Sequence, residues 1–170
     1  GIDGRRRFPA ATRRTFTKGR RKDHVTDPRG SAGDGQPEKR LALFVDTFTE
    51  FYEPEHGHSA VRVAERIGWE VVVPPRVCCG RPLISKGFLE QAREQAEATT
   101  RTLSPLSSAG VPIVFCEPGC FSAVRDDHPR LVGETLRAQA NAVAAAAITF
   151  EEWALSALRE SRPAAQEPLS

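Results

Sequence analysis

Three short apolar runs separated by helical stretches constrain the fold of this chain more than any other feature. Leu41-Ala42-Leu43-Phe44-Val45 is continuous and apolar, as a strand buried on both faces must be. Glu70-Val71-Val72-Val73 is β-branched and is stopped by Pro74-Pro75. Val111-Pro112-Ile113-Val114-Phe115 is a third run of the same kind. Between the first two, Pro54 opens a segment whose Ala60, Val63, Ala64 and Ile67 share one helical face, with Gly68 closing it. Between the second and third, Phe88 to Leu106 is rich in Ala, Glu, Gln and Arg and reads as a helix ending near Gly110. A further helix follows Pro118-Gly119, and a last one covers Glu134–Ala147 or Glu151–Glu160. This alternation predicts an α/β fold: a small parallel sheet with helices on its faces, built on a βαβαβ core.

Charge divides the chain of 170 residues into two regions. Residues 1–40 hold 12 Lys and Arg against 5 Asp and Glu, a net of +7, whereas residues 41–170 carry a net of −5. The basic region has no sustained periodicity, so residues 1–40 read as a flexible basic linker with a short helix around Pro9–Thr17. Residues 41–160 read as one cysteine-rich domain and 161–170 as a disordered tail. The basic arm has neither interleaved aromatics nor a base-reading motif, which argues against nucleic-acid binding.

The four cysteines are expected to bind metal or do redox chemistry rather than pair as disulfides. The N-terminus has arginines but no apolar segment of a signal peptide, and no apolar run approaches the ~20 residues that span a bilayer. A reducing cytoplasmic location follows as the expectation, and there clustered thiols are seldom disulfides. The sequence contains no methionine, so it reads as a processed product or a piece of a longer protein.

The predicted sheet gathers those cysteines. Cys78-Cys79 follow the second strand, Cys116 and Cys120 follow the third, and Asp46-Thr47 follow the first. All lie at the carboxyl ends of parallel strands, the edge where open α/β sheets build their sites. Thiolates suit soft or borderline metals and iron–sulfur clusters. In Cys78-Cys79-Gly80-Arg81-Pro82, the glycine permits a sharp turn and the proline stiffens its exit. Helices beginning beyond both loops are expected to lower the thiol pKa values, and Arg81 and Lys86 to add positive charge. Cys116, directly after a buried strand, reads equally well as a core residue.

The run Pro74-Pro75-Arg76-Val77-Cys78-Cys79-Gly80-Arg81-Pro82, then Gly87, then Ile113-Val114 before Glu117-Pro118-Gly119-Cys120, resembles the cysteine-rich CCG domain. That domain occurs in the B subunit of heterodisulfide reductase and in the iron–sulfur subunits of glycolate oxidase, lactate-utilisation proteins and anaerobic glycerol-3-phosphate dehydrogenase. The resemblance covers about residues 41–128. With Val45-Asp46-Thr47-Phe48 upstream, it is most similar to the C-terminal iron–sulfur region of FAD-linked oxidase fusions.

The resemblance implies an iron–sulfur cluster of the 4Fe-4S type held by Cys78, Cys79 and Cys120, with Cys116 a further candidate ligand. It implies a flavoprotein domain or subunit carrying FAD, and an electron acceptor such as a quinone or a protein disulfide or carrier, with peripheral membrane association. The chain would then be an electron-transfer module of a 2-hydroxy acid or glycerol-3-phosphate dehydrogenase type oxidoreductase, with no catalysis of its own on the organic substrate. Two departures stand out. Family members often carry a cysteine where this chain has Asp46-Thr47, and their downstream pair is CxxC, which places Cys116 one position off. Three thiols fall short of the four ligands of an ordinary cluster. Cys116, Asp46 or a second CCG repeat outside this chain would supply the fourth. The alternative is a zinc-binding structural or docking domain using the same thiols; a metal-free thiol–disulfide domain is disfavoured because CxxC is absent.

Other residues carry weaker signals. His56 and His58 flank Gly57 without a third ligand at metal spacing and read as solvated or helix-initiating. His128, in Asp126-Asp127-His128-Pro129, reads as part of a helix-ending turn. Trp69 and Trp153 read as core residues.

Overall fold

The computed structural model describes residues 10–19 and 39–161. The expectations for the remainder of the basic arm and for the tail beyond Ser161 lie outside the described residues. The element order is α1 (Phe16–Gly19), β1 (Arg40–Phe44), α2 (Thr47–Phe51), α3 (Pro54–Arg66), β2 (Glu70–Val72), α4 (Arg81–Lys86) and α5 (Leu89–Ser108). It continues with β3 (Ile113–Phe115), α6 (Pro118–Ser122), a π-helical turn (Ala123–Asp127), α7 (His128–Leu131), α8 (Glu134–Ala146), β4 (Ala147–Thr149) and α9 (Phe150–Ser161).

The sheet is parallel throughout, in the order β2-β1-β3-β4. This is the expected α/β class, with one strand more than the sequence suggests. β4 pairs Ala147, Ile148 and Thr149 with Ile113, Val114 and Phe115. The helix expected over Glu134–Ala147 takes in its first residue, because three residues after an alanine-rich run give no strand period to read. Both of the alternative last helices form, one on each side of β4.

Strand alternation sorts the core into two layers. Ala42, Phe44, Ile113 and Phe115 point to one side, where Leu103 and Leu106 of α5, Phe121 and Val143 of α8 meet them. Leu41, Leu43 and Val114 point to the other, against Ala60 and Ala64 of α3 and Trp153 of α9. Trp69 and Trp153 meet edge to face at 5.4 Å, as core residues rather than a cofactor platform. The reading of residues 1–40 as a flexible linker does not extend to 10–19. Phe16 is fully buried in the second layer, and the Thr17 backbone N–H and hydroxyl both donate to the Glu50 carboxylate.

The strand order also positions a crevice. From β1 the chain crosses to β2 on one side, whereas from β3 it crosses to β4 on the other. The connections thus diverge between β1 and β3, and an open α/β sheet binds its ligands beyond the strand ends at such a point.

Candidate metal centre

A cavity of about 530 Å³ lies beyond the carboxyl ends of β1 and β3. Phe44, Asp46 and Phe48 line it from β1 and α2, Glu117 and Cys120 from the start of α6, and Cys78, Cys79 and Arg81 from the turn after β2. Three loops converge there, and three of the four cysteines are among the lining residues. Cys79 and Cys120 are buried, Cys78 is exposed, and all four cysteines are free thiols.

Cys79 Sγ lies 2.9 Å from Cys120 Sγ, across 41 residues of sequence. Two sulfurs sharing one tetrahedral metal at about 2.3 Å would stand about 3.8 Å apart, so these thiols must part slightly to share an ion. Among the described residues, no group of three or more His, Cys, Asp or Glu side chains is arranged to hold a metal ion. The donor chemistry nonetheless fits a sulfur-bound metal or cluster: three thiols and little else that is soft share one largely apolar cavity.

The turn carrying the thiols is held from several sides. Gly80 adopts φ +72°, a left-handed conformation that a side chain would strain, and its N–H donates to Cys78 Sγ at 3.4 Å. The Thr99 hydroxyl of α5, itself fully buried, donates to the Cys78 carbonyl at 2.8 Å. His128 Nε2 lies 2.8 Å from the Cys79 carbonyl, and Arg81 pairs with Asp127 at 3.0 Å. Replacing Gly80 by alanine should therefore cost about 1–2 kcal/mol of stability through the left-handed backbone alone. Chemical denaturation of the variant checks this; an unchanged midpoint would mean that the turn relaxes freely.

Asp46 and Glu117 are already committed. Asp46 is buried, and its carboxylate accepts from Phe48 N at 2.7 Å, Thr49 N at 3.1 Å and the Thr49 hydroxyl at 2.6 Å, capping α2. Glu117 caps α6 by accepting from Cys120 N. These bonds take three of the roughly four acceptor sites of the carboxylate, which leaves one on Oδ2 for the fourth ligand considered for it. Cys116 follows Val114 by two residues and shares its side of the sheet, packed against the second layer. It does not line the cavity. Period-two alternation along β3 is the signal that separates it from the other thiols.

The surroundings of Cys78, Cys79 and Cys116 disfavour the thiolate form. The sequence suggests that helix N-termini lower the thiol pKa values, and for Cys78 and Cys79 the direction is the reverse. Cys79 is pushed up from 9.0 to about 12, chiefly because it donates to Cys120 and because it is buried. Cys78 is raised by its hydrogen bond with Cys79 and by partial burial. Cys116 is raised to about 11 by burial and by the nearby Asp46 and Glu151 carboxylates. Contact between thiols and loss of water are the causes that raise Cys78 and Cys79.

The linkage has a definite sign. A folded-state pKa above the unfolded value means that the native protein holds its protons longer. The contribution of Cys79 and Cys116 is then fully present below pH 9.0 and is lost as pH rises towards about 11 and about 12. The metal-free protein should lose stability steadily above pH 9. Urea midpoints measured from pH 7 to pH 10.5 check this; a midpoint that holds or rises across the range would contradict it.

Among the described residues, His56 and His58 belong to no group of three or more side chains arranged for a metal. His56 Nδ1 pairs with Glu53 at 2.9 Å, and the His58 ring lies against Phe16 at 4.9 Å. His128 and Thr99 are the site-supporting residues that sequence reasoning missed. His128 does not sit in a helix-ending turn: it begins α7 straight after the π-helical turn and is buried.

The chain is similar to parts of several oxidoreductases. It is 29% identical over 125 residues to D-2-hydroxyglutarate dehydrogenase from Pantoea ananatis, covering 74% of this chain and 12% of the relative. It is 28% identical over 133 residues to the C subunit of anaerobic glycerol-3-phosphate dehydrogenase from Escherichia coli, covering 77% of this chain and 32% of the relative. It is 30% identical over 113 residues to the B subunit of fumarate reductase (CoM/CoB) from Methanothermobacter marburgensis, covering 66% of this chain and 22% of the relative. The chain thus spans less than a third of each of these relatives. No protein-family model matches it, and no solved structure does. Among the described residues, no helix is long and apolar enough to cross a membrane.

Proposed function

We propose that this chain is an iron–sulfur electron-transfer module of a flavin-linked oxidoreductase, with the cluster held by Cys78, Cys79 and Cys120. The observation that carries the reading is the convergence of three thiols, from the loops after β2 and β3, on one cavity at the sheet's divergence point. Two supports stand beside it. The Cys78-Cys79-Gly80-Arg81-Pro82 turn resembles the CCG-type domain, and the similar proteins are a dehydrogenase, a dehydrogenase subunit and a reductase subunit.

A bound cluster supplies one-electron chemistry that no side chain here offers. The residues of the chain provide the setting. Gly80 and the two carbonyl bonds fix where Cys78 and Cys79 can reach, and the Asp46 and Glu117 caps hold the entrances of α2 and α6 in place. Phe44 and Val77 give the cavity wall an apolar lining, and exposed Phe48 gives its mouth an apolar face suited to a partner protein. Cys116 faces the other layer and Asp46 is occupied as a cap. The fourth ligand is therefore best supplied by a partner or by another segment of a larger protein. Oxidation of the organic substrate, a 2-hydroxy acid or glycerol-3-phosphate, belongs to an FAD-bearing partner, and the electrons pass on to a quinone or a protein carrier.

Anaerobic purification followed by a visible spectrum and assays for iron, zinc and acid-labile sulfide tests the proposal. Brown protein with iron and sulfide supports it. Colourless protein with stoichiometric zinc would replace it with a zinc domain. The contact between Cys79 and Cys120 favours a third outcome over a featureless one: protein with neither metal, in which mild oxidation removes two thiols, would be a thiol–disulfide domain.

A further inference from the structure

We propose that His128 is a positioning residue of the thiol site, orienting Cys79 through the backbone of its turn. The inference rests on the reading of Cys78, Cys79 and Cys120 as ligands. His128 is 1% exposed, and its Nε2 lies 2.8 Å from the Cys79 carbonyl, 49 residues away in sequence. A carbonyl only accepts, so Nε2 carries a proton, and burial, which holds the ring below its ordinary pKa, favours the neutral form with Nδ1 bare. Nδ1 then presents a buried lone pair with no hydrogen-bond partner. Leaving a buried polar atom unpaired costs free energy, and an apolar side chain would fill the same space without it. The hydrogen bond to Cys79 is what the histidine provides and an apolar residue does not.

The surroundings give that bond its direction. The helix that begins just before Cys120 runs from α6 into the π-helical turn and on into α7. A π turn inserts an extra residue into a helix and rotates the residues beyond it. Asp127, the last residue of this one, and His128, the first of α7, meet the cysteine turn together, Asp127 at Arg81 and His128 at Cys79. One helix therefore supplies Cys120 at its start and the brace for Cys79 two turns later. Of the two buried thiols that touch each other, one sits on this helical segment and the other is bonded to it through His128. Thr99 braces the neighbouring Cys78 carbonyl from α5 in the same way. Groups that orient metal ligands from outside typically change metal affinity 10–100-fold when removed.

The test uses the reduced, metal-free chain with Co(II) as the probe. Thiolate-to-cobalt absorption reports affinity and ligand geometry, and the labelling rates of Cys79 and Cys120 with a thiol reagent report the site without metal. His128→Phe should weaken Co(II) binding 10–100-fold, shift the absorption band and speed labelling of Cys79. His128→Gln places an amide N–H the same number of bonds from the backbone and should recover wild-type behaviour, whereas His128→Asn, one bond shorter, should not.

A His128→Phe protein with lowered thermal stability but wild-type cobalt affinity, band position and labelling rate would overturn the proposal, since the residue would then be merely structural. Where His128→Phe does not fold, the Gln and Asn variants decide: equal affinity, band and labelling in those two would overturn it. A wild-type chain that binds no Co(II) would count against the thiols as ligands, while the labelling comparison would still report on His128 as a positioning residue.

Discussion

A Cys79→Ser protein should fold and hold no more than a trace of metal, whereas Cys116→Ser should load as the wild type does. Cys79 is the best placed of the thiols: it is buried, lines the cavity and touches Cys120 at 2.9 Å. Serine keeps the size and the backbone conformation, so the bonds from Thr99, His128 and the Arg81–Asp127 pair to the turn can persist. It replaces a soft donor by a hydroxyl that stays protonated, and two thiols cannot hold what three hold weakly. Cys116 differs by position rather than chemistry, because strand alternation turns it to the α3 and α9 side of the sheet. Iron and zinc contents of the two variants after identical anaerobic purification give the answer. Full metal in Cys79→Ser, or its loss in Cys116→Ser, would mean that the wrong set of thiols has been assigned.

That contrast also shows what was legible in the sequence. β1, β2 and β3 announce themselves because continuous apolar runs bounded by proline or glycine have few other uses, and their spacing forces parallel crossovers. Placing Cys78, Cys79 and Cys120 at one edge followed from topology alone, without any side-chain geometry. β4 was not legible, since Ala147-Ile148-Thr149 becomes a strand only through its partner β3. The orientation of Cys116 was available from period-two counting but was obscured by its nearness in sequence to Cys120. The upward push on the Cys79 thiol was not available at all. It depends on two sulfurs from separate loops meeting, which no local pattern encodes. His128 was hidden for a similar reason, because the π-helical turn that aims it has no composition signal of its own.

The segment around Phe16 yields the second large expected effect. Arginine-rich surroundings make residues 1–40 look like solvated linker, yet Phe16 is fully buried against the β1–α3–α9 layer. Gly57 shows how close the fit is. A Cβ built there would lie 2.7 Å from the Phe16 ring and 2.7 Å from the Thr49 methyl, so α3 offers the ring a slot that only glycine leaves open. Phe16→Ala would empty that slot between the α3 backbone at Gly57 and Thr49 of α2, and neither can easily collapse to fill it. Phe-to-Ala changes in such places cost about 3–5 kcal/mol, a large part of the roughly 5–15 kcal/mol that holds a domain together. Urea unfolding of the variant should show a shift of that size, with unfolding already advanced near physiological temperature. A loss below about 0.5 kcal/mol, the range of ordinary surface substitutions, would mean that Phe16 does not rest in this slot in solution. The three cavity thiols come from the turn after β2 and the start of α6 rather than from α2 or α3 around Phe16, so a folded remnant of Phe16→Ala in the cold should still load metal. The same variant thus separates what holds the domain together from what the site needs.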